Sequence, residues 1–225
     1  MKQSGKLISS EKYRPFLEGL DYVFFLPENP FCDTRLSGHA DLMLFSDGEG
    51  RLFGANFLKS YEIPLEIEYL NANPGEKYPE DAKFNGLCFG KTVIVNKLTI
   101  AGEILDRLEK GERRIVNVKQ GYARCCALPV DENSLITSDE GIYRACLIAG
   151  LQVLKISPGY FELPGFDYGF VGGSGFLKEK KTLCFTGSIE THPDYGAIRA
   201  FLEEREIKIE YLTKRRAFDI GAVYC

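Results

Sequence analysis

Histidine, paired cysteines, long apolar runs and excess positive charge are what this 225-residue chain has little of. Its two histidines, His39 and His192, are far apart, and none of its seven cysteines forms a Cys-x-x-Cys pair. That weighs against zinc, and no metal or other cofactor is expected. The longest apolar runs, such as YVFFL, reach about five residues against the ~20 a membrane helix needs. A net charge of −4 leaves no basic footprint for nucleic acid or an anionic membrane. The opening MKQSGKLISSEK has no apolar core of a signal peptide, so a cytoplasmic setting with reduced thiols is expected. The glycine-rich run Gly169 to Gly175 (GFVGGSG) has neither the Lys-Ser/Thr of a P-loop nor a GxGxxG spacing. Its glycines read instead as places where segments crowd together.

What is present is repetition. SLITSDEGIYRACLIAGLQVLKI, from Ser134, and KLISSEKYRPFLEGLDYVFFL, from Lys6, share one order: a short apolar strand, an acidic turn, an amphipathic run and a second apolar strand. The complete unit is strand, turn, strand, helix, strand. In the third unit these are GYARCCALPV, DEN, SLIT, a helix capped at Ser138 with Ile142, Ala145, Cys146 and Ala149 inward, and LQVLKI. The fourth has GFVGGSGFL, TLCFTG, a helix from about Thr191 with a capping-box pattern to Asp194, and IKIEYL. Its inward stripe is Ala197, Ile198, Phe201 and Leu202. The second runs from AKFNGLCFG through the helix TIAGEILDRLEK to RRIVNV, and the first from HADLMLF to a poor helix in NFLKSYEI. NANPGEKYPED reads as a surface loop.

Four units leave over a lone first strand at the C-terminus, AFDIGAVYC, and a unit without its first strand at the N-terminus. Joined, they make a fifth. The boundaries are 38–80, 81–120, 121–168, 169–215, and 216–225 together with 1–37. An open solenoid needs capping ends, whereas a split unit lets the termini pair. The expected fold is a single α/β domain, a closed five-unit α/β propeller with its fifth unit split between the termini. A two-layer α/β sandwich is the alternative.

Two fragments sharpen this. HAD, His39 to Asp41, resembles a His-x-Asp motif, and GYARC, Gly121 to Cys125, resembles a Gly-x-x-x-Cys that precedes a nucleophile. With the fivefold pattern, they make the chain similar to the pentein, or guanidino-group-modifying, superfamily. Arginine deiminase, dimethylarginine dimethylaminohydrolase, agmatine deiminase and the amidinotransferases belong there, beside a non-enzymatic ribosome anti-association factor. The resemblance implies that a cysteine attacks a guanidinium carbon, a histidine shuttles protons and carboxylates grip the cation. A small cationic guanidino- or amino-acid-like ligand is then the expected partner. The alternative is a non-catalytic binding or assembly module. No oligomeric state is read from the pattern.

The residues narrow the chemistry. His192, beside Pro193 at a helix start, reads as solvent-exposed, which leaves His39 for any Cys–His pair. Asp41 would share a face with His39 if both lie on a strand. Cys125 is the favoured nucleophile; Cys225, which follows Gly221 by the same spacing, and Cys88 remain alternatives, while Cys32, Cys146 and Cys184 read as core. Strand alternation would turn Arg124 away from Cys125. Asp167, Asp219, Asn85, Gln120, Tyr122 and Gly172 lie on or beside first strands and are candidates to line a ligand channel.

Overall fold

A computed structural model describes residues 6–224. The first elements in the chain are β1 (Leu7–Ser10), the single turn α1 (Arg14–Leu17) and β2 (Val23–Leu26). The first whole unit holds β3 (Leu44–Ser46), β4 (Leu52–Gly54) and β5 (Ile67–Tyr69). The second holds β6 (Leu87–Phe89), β7 (Thr92–Val95), α2 (Gly102–Lys110) and β8 (Arg114–Asn117). The third begins with the single turn α3 (Ala123–Cys126) and continues through β9 (Ala127–Pro129), β10 (Ser134–Thr137), α4 (Glu140–Ile148) and β11 (Gln152–Lys155). The fourth begins with α5 (Val171–Ser174), followed by β12 (Gly175–Glu179), β13 (Thr182–Phe185), α6 (Tyr195–Glu203) and β14 (Lys208–Tyr211).

These strands make four three-stranded sheets and one two-stranded sheet. In each three-stranded sheet the central strand runs antiparallel to the first strand and parallel to the third. The two-stranded sheet pairs β1 with β2 in parallel. Its missing neighbour comes from the far end of the chain: Ile8 and Tyr224 form an antiparallel bridge, with Ile8 N–H to Tyr224 O at 2.9 Å and Tyr224 N–H to Ile8 O at 3.1 Å. The pairing expected between AFDIGAVYC and KLISS is therefore present at these residues. Cys225 lies outside the described residues.

Helix stripes follow the sequence period. Ile104 and Leu108 of α2, Ile142 and Cys146 of α4, and Ile198 and Leu202 of α6 are buried against the sheets. Helix starts differ from expectation. The cap of α4 is Asp139, not Ser138; its carboxylate accepts the Ile142 N–H at 2.7 Å. Asp194 precedes α6 without capping it, because its carboxylate accepts the Ser157 N–H at 2.6 Å instead. The poor helix of the first unit is a short 3-10 turn, Asn56–Ser60. No helix among the described residues is long and apolar enough to cross a membrane.

The main departure lies in the first strands. GYARCCALPV and GFVGGSGFL each open on a helical turn, α3 or α5, before the strand starts, and HADLMLF opens on a 3-10 turn, Ala40–Leu42. Crowding accounts for the turns. A Cβ on Gly172 would lie 2.3 Å from Arg124 O, 2.5 Å from Cys125 O and 2.6 Å from Ala127 O. Neighbouring segments touch backbone to backbone there, which only glycine permits. Glycine as a crowding device is what the sequence suggests; the strand there is not.

Candidate functional site

The helical turns bring distant side chains together. His39, just ahead of the 3-10 turn, Asp41 within it, and Cys125 on α3 place ligand-type atoms within 4.8 Å of one another. All three are buried, at 3%, 0% and 3% exposure. The Cys125 thiol donates to Asp41 Oδ2 at 2.5 Å. Asn85 ties the two segments together. Its Nδ2 donates to Asp41 Oδ2 at 3.0 Å and contacts Cys125 Sγ at 3.3 Å, while its Oδ1 accepts the Arg124 N–H at 2.7 Å. Asp219 also approaches the imidazole, its Oδ1 4.0 Å from His39 Nε2. It is fixed by backbone N–H groups of Phe170 (2.8 Å) and Gly221 (2.9 Å). Gly221 has φ +70°, and a Cβ there would meet His39 Cα at 2.6 Å. A side chain at 221 would be strained and would displace the histidine.

The electrostatics oppose a free thiolate. Burial first, then the charges of Asp41 and Asp219, push the Cys125 thiol well above its ordinary pKa. Burial likewise raises Asp219. Without a cation in the cluster, this environment holds Cys125 as the thiol. Burial raises Cys32 to about 11 and Cys88, Cys146 and Cys184 to about 12. Cys88 has Arg113, Asp47 and Glu49 as its charged neighbours and is no part of the His39 cluster.

The remaining candidates divide. Gly172 supplies a carbonyl that accepts from Arg124 Nη1 at 3.2 Å. Tyr122 turns to a different buried carboxylate, donating to Asp81 Oδ2 at 2.7 Å. Gln120 accepts the Tyr122 N–H and contacts the Asp139 carboxylate at 3.3 Å, at the start of α4. Asp167 is exposed on a loop, outside the buried cluster. Arg124 matters more than alternation implies. It is buried, it donates to Gly172 O and Val223 O (3.0 Å), and it lies over the Tyr224 ring. It also lines a cleft of about 890 Å³, together with Cys88, Val223 and Tyr224, whose lining includes none of His39, Asp41, Cys125 and Asp219. The adjacency of Arg124 to the candidate cysteine was the signal available in the sequence.

His192 is buried rather than exposed, against Tyr160 and Phe161. Its Nδ1 accepts the Asp194 N–H at 3.0 Å. Burial lowers its pKa below 6.5, against the opposing pull of Asp194. The folded state therefore binds this proton less readily than the unfolded chain does. Stability present above 6.5 is lost as pH falls from there toward the lowered folded value. His192→Asn keeps an acceptor for Asp194 N–H without the titration. Between about pH 7 and 5 the melting temperature of the wild type is expected to fall more than that of this variant. Parallel curves would contradict the assignment.

A family model described as "Family of unknown function (DUF6873)" matches residues 9–224. No curated protein matches the chain in sequence. Solved structures match its fold. A dimethylarginine dimethylaminohydrolase adduct with 4-chloro-2-hydroxymethylpyridine aligns at TM-score 0.56 and 9% identity, over 93% of this chain and 92% of that one. The Pseudomonas aeruginosa enzyme DDAH, a cysteine-to-serine mutant with citrulline, aligns at 0.52 and 9%, over 89% and 79%. The C. jejuni agmatine deiminase aligns at 0.51 and 12%, over 92% and 75%. At such identities the likeness is one of fold: the small mixed sheets of this chain are arranged as in these pentein proteins.

Proposed function

The chain belongs to the DUF6873 family, and from that premise and its pentein-like fold we propose that its five sheets close into a propeller whose centre binds a small cationic guanidino- or amino-acid-like ligand. The observation that carries this reading is the convergence of the Cys125 thiol, the His39 imidazole and the Asp41 and Asp219 carboxylates. A guanidinium between the two carboxylates would supply the positive charge the cluster lacks, and would lower the thiol pKa by direct attraction. Asp41, already accepting the thiol hydrogen, takes the proton. The thiolate attacks the guanidinium carbon, and the proton held by Asp41 passes through His39 to the departing amine. Water then attacks the thiouronium, giving a proton to His39; the thiolate leaves from the urea-type product and takes that proton back, and the released amine picks up the second water proton. Ligand entry requires the cluster to open, since Cys125 is 3% exposed.

That burial, with the raised thiol pKa, favours a second reading: a binding module that performs no chemistry. Alkylation separates the two. Under the first reading, 2-chloroacetamidine, a cationic guanidine mimic, labels Cys125 ahead of the other thiols, and the neutral iodoacetamide does not. His39→Ala slows the cationic reaction. Because the free thiol is held above its ordinary pKa, labelling by iodoacetamide climbs through the alkaline range without levelling near neutrality. Equal labelling by both reagents, indifferent to His39→Ala, would leave the binding module.

A further inference from the structure

We propose that His39, Asp41 and Cys125 form a binding site for one divalent transition-metal ion, of which Zn²⁺ is the best chemical match. The inference goes beyond the guanidino reading and does not depend on it, although it uses the same groups.

The cluster is short of a cation. His39 Nε2 and Asp41 Oδ1 are buried and have no hydrogen-bond partner in the structure. Buried polar atoms of this kind are normally satisfied. Both sit on residues of the cluster in which His39, Asp41 and Cys125 each bring one ligand-type atom within 4.8 Å of the others. Asp219, also buried, brings a second carboxylate to 4.0 Å from His39 Nε2. No lysine or arginine pairs with Asp41 or Asp219 among the described residues, and the nearby Arg124 guanidinium donates instead to the carbonyls of Gly172 and Val223. Burying carboxylates without a positive partner is costly.

The donor set selects the ion. One thiolate, one imidazole and one carboxylate suit Zn²⁺, whereas Mg²⁺ and Ca²⁺ prefer all-oxygen sites. Three protein ligands also match the number seen in zinc sites that keep a fourth position open. Neighbouring donors around tetrahedral zinc are separated by about 3.3–3.5 Å, given bond lengths of about 2.0–2.3 Å. The Cys125–Asp41 pair at 2.5 Å would open by about 1 Å as the metal replaces the shared hydrogen. Asn85, donating to Asp41, is positioned to orient that carboxylate. Counting histidines in the sequence misses such a site, because it takes a single histidine and collects its other ligands from separate units.

The test uses the full chain, stripped with chelator and titrated with Co²⁺ as a spectroscopic stand-in. The expected result is one Co²⁺ per chain, a thiolate-to-cobalt charge-transfer band, tetrahedral-type visible absorption, and displacement by one equivalent of Zn²⁺. Cys125→Ser should abolish the charge-transfer band, and His39→Ala should weaken binding by more than the ~10–100-fold expected for loss of a merely supporting residue. Cys88→Ser should change nothing. Should the site variants fail to fold, wild type decides: bound Co²⁺ should slow alkylation of Cys125 but not of Cys88. Absence of stoichiometric uptake, a band that survives Cys125→Ser, or unprotected Cys125 in folded wild type would overturn the proposal and leave a buried water as the partner of His39 Nε2 and Asp41 Oδ1. Failure of the guanidine-mimic labelling in metal-free protein would count against the ligand reading and not against the metal.

Discussion

A chain that stops before Phe218 is expected not to fold. Phe218, Ile220, Val223 and Tyr224 are 4%, 0%, 2% and 7% exposed. At about 1.5–3 kcal/mol for each buried apolar side chain, their loss removes about 6–12 kcal/mol. That rivals the ~5–15 kcal/mol that holds a typical domain together. The segment also carries bonds that nothing else replaces. Tyr224 closes the β1 sheet at Ile8 and donates its hydroxyl to Leu44 O at 2.5 Å, joining the last residues of the chain to the first whole unit. Val223 O accepts from the buried Arg124, and Asp219 holds Phe170 N–H. Deletion would strand Arg124 and expose an edge of β1 open to intermolecular pairing. Aggregation on expression, or no cooperative melt by circular dichroism, is the expected outcome. A truncated protein melting like the full-length chain would sink the argument that the two ends complete one unit.

The pairing of Ile8 with Tyr224 was legible because repetition is a long-range signal. Each copy repeats the strand period and the helix period in the same order, so the weak unit around KLISS could be read from the strong one around SLIT. The nine-residue helices α2, α4 and α6 were legible for the same reason. The turns α3 and α5 were not. Ala-Arg-Cys-Cys and Val-Gly-Gly-Ser are too short to show a period, and either conformation suits them locally. Contacts from elsewhere decide: Gly172 packs against the carbonyls of α3 and the residue after it, 48 positions from Arg124 along the chain.

The site divides along the same line. Motif and position were enough to single out His39, Asp41, Cys125, Asn85 and Asp219, and the fold brings them together. The reason offered for His39 and Asp41 sharing a face, strand alternation, does not apply to a 3-10 turn. Asp167 has the same local context as Asp219, ahead of a first strand, yet only Asp219 has backbone donors arranged to receive it. The ionisation of Cys125 depends on burial and on two carboxylates from distant segments, so no local sequence could reveal it.

Asn85 is the residue whose replacement should most disturb this cluster. Its Oδ1 accepts Arg124 N–H at 2.7 Å and Cys125 N–H at 3.4 Å, and its Nδ2 serves Asp41 and Cys125 Sγ. Asn85→Ala would leave two buried backbone donors without an acceptor. At about 1–3 kcal/mol each, that amounts to about 2–6 kcal/mol. Asn85→Asp keeps the acceptor but sets a second carboxyl against Asp41 Oδ2, where an amide now donates at 3.0 Å. Two close buried carboxyls cannot both ionise cheaply, so one folded-state pKa of the pair rises above its unfolded value. A carboxyl with a raised folded pKa loses stability as pH rises through that window and regains it as pH falls. At neutral pH both variants should therefore be less stable than wild type. On acidification the deficit of Asn85→Asp should shrink, because the protonated carboxyl can donate again in place of the amide, while that of Asn85→Ala should stay constant. Denaturant melts of the three proteins across that range measure both effects. A pH-independent deficit in Asn85→Asp, or an Asn85→Ala variant as stable as wild type, would show that the amide does not hold Asp41 and Cys125 together.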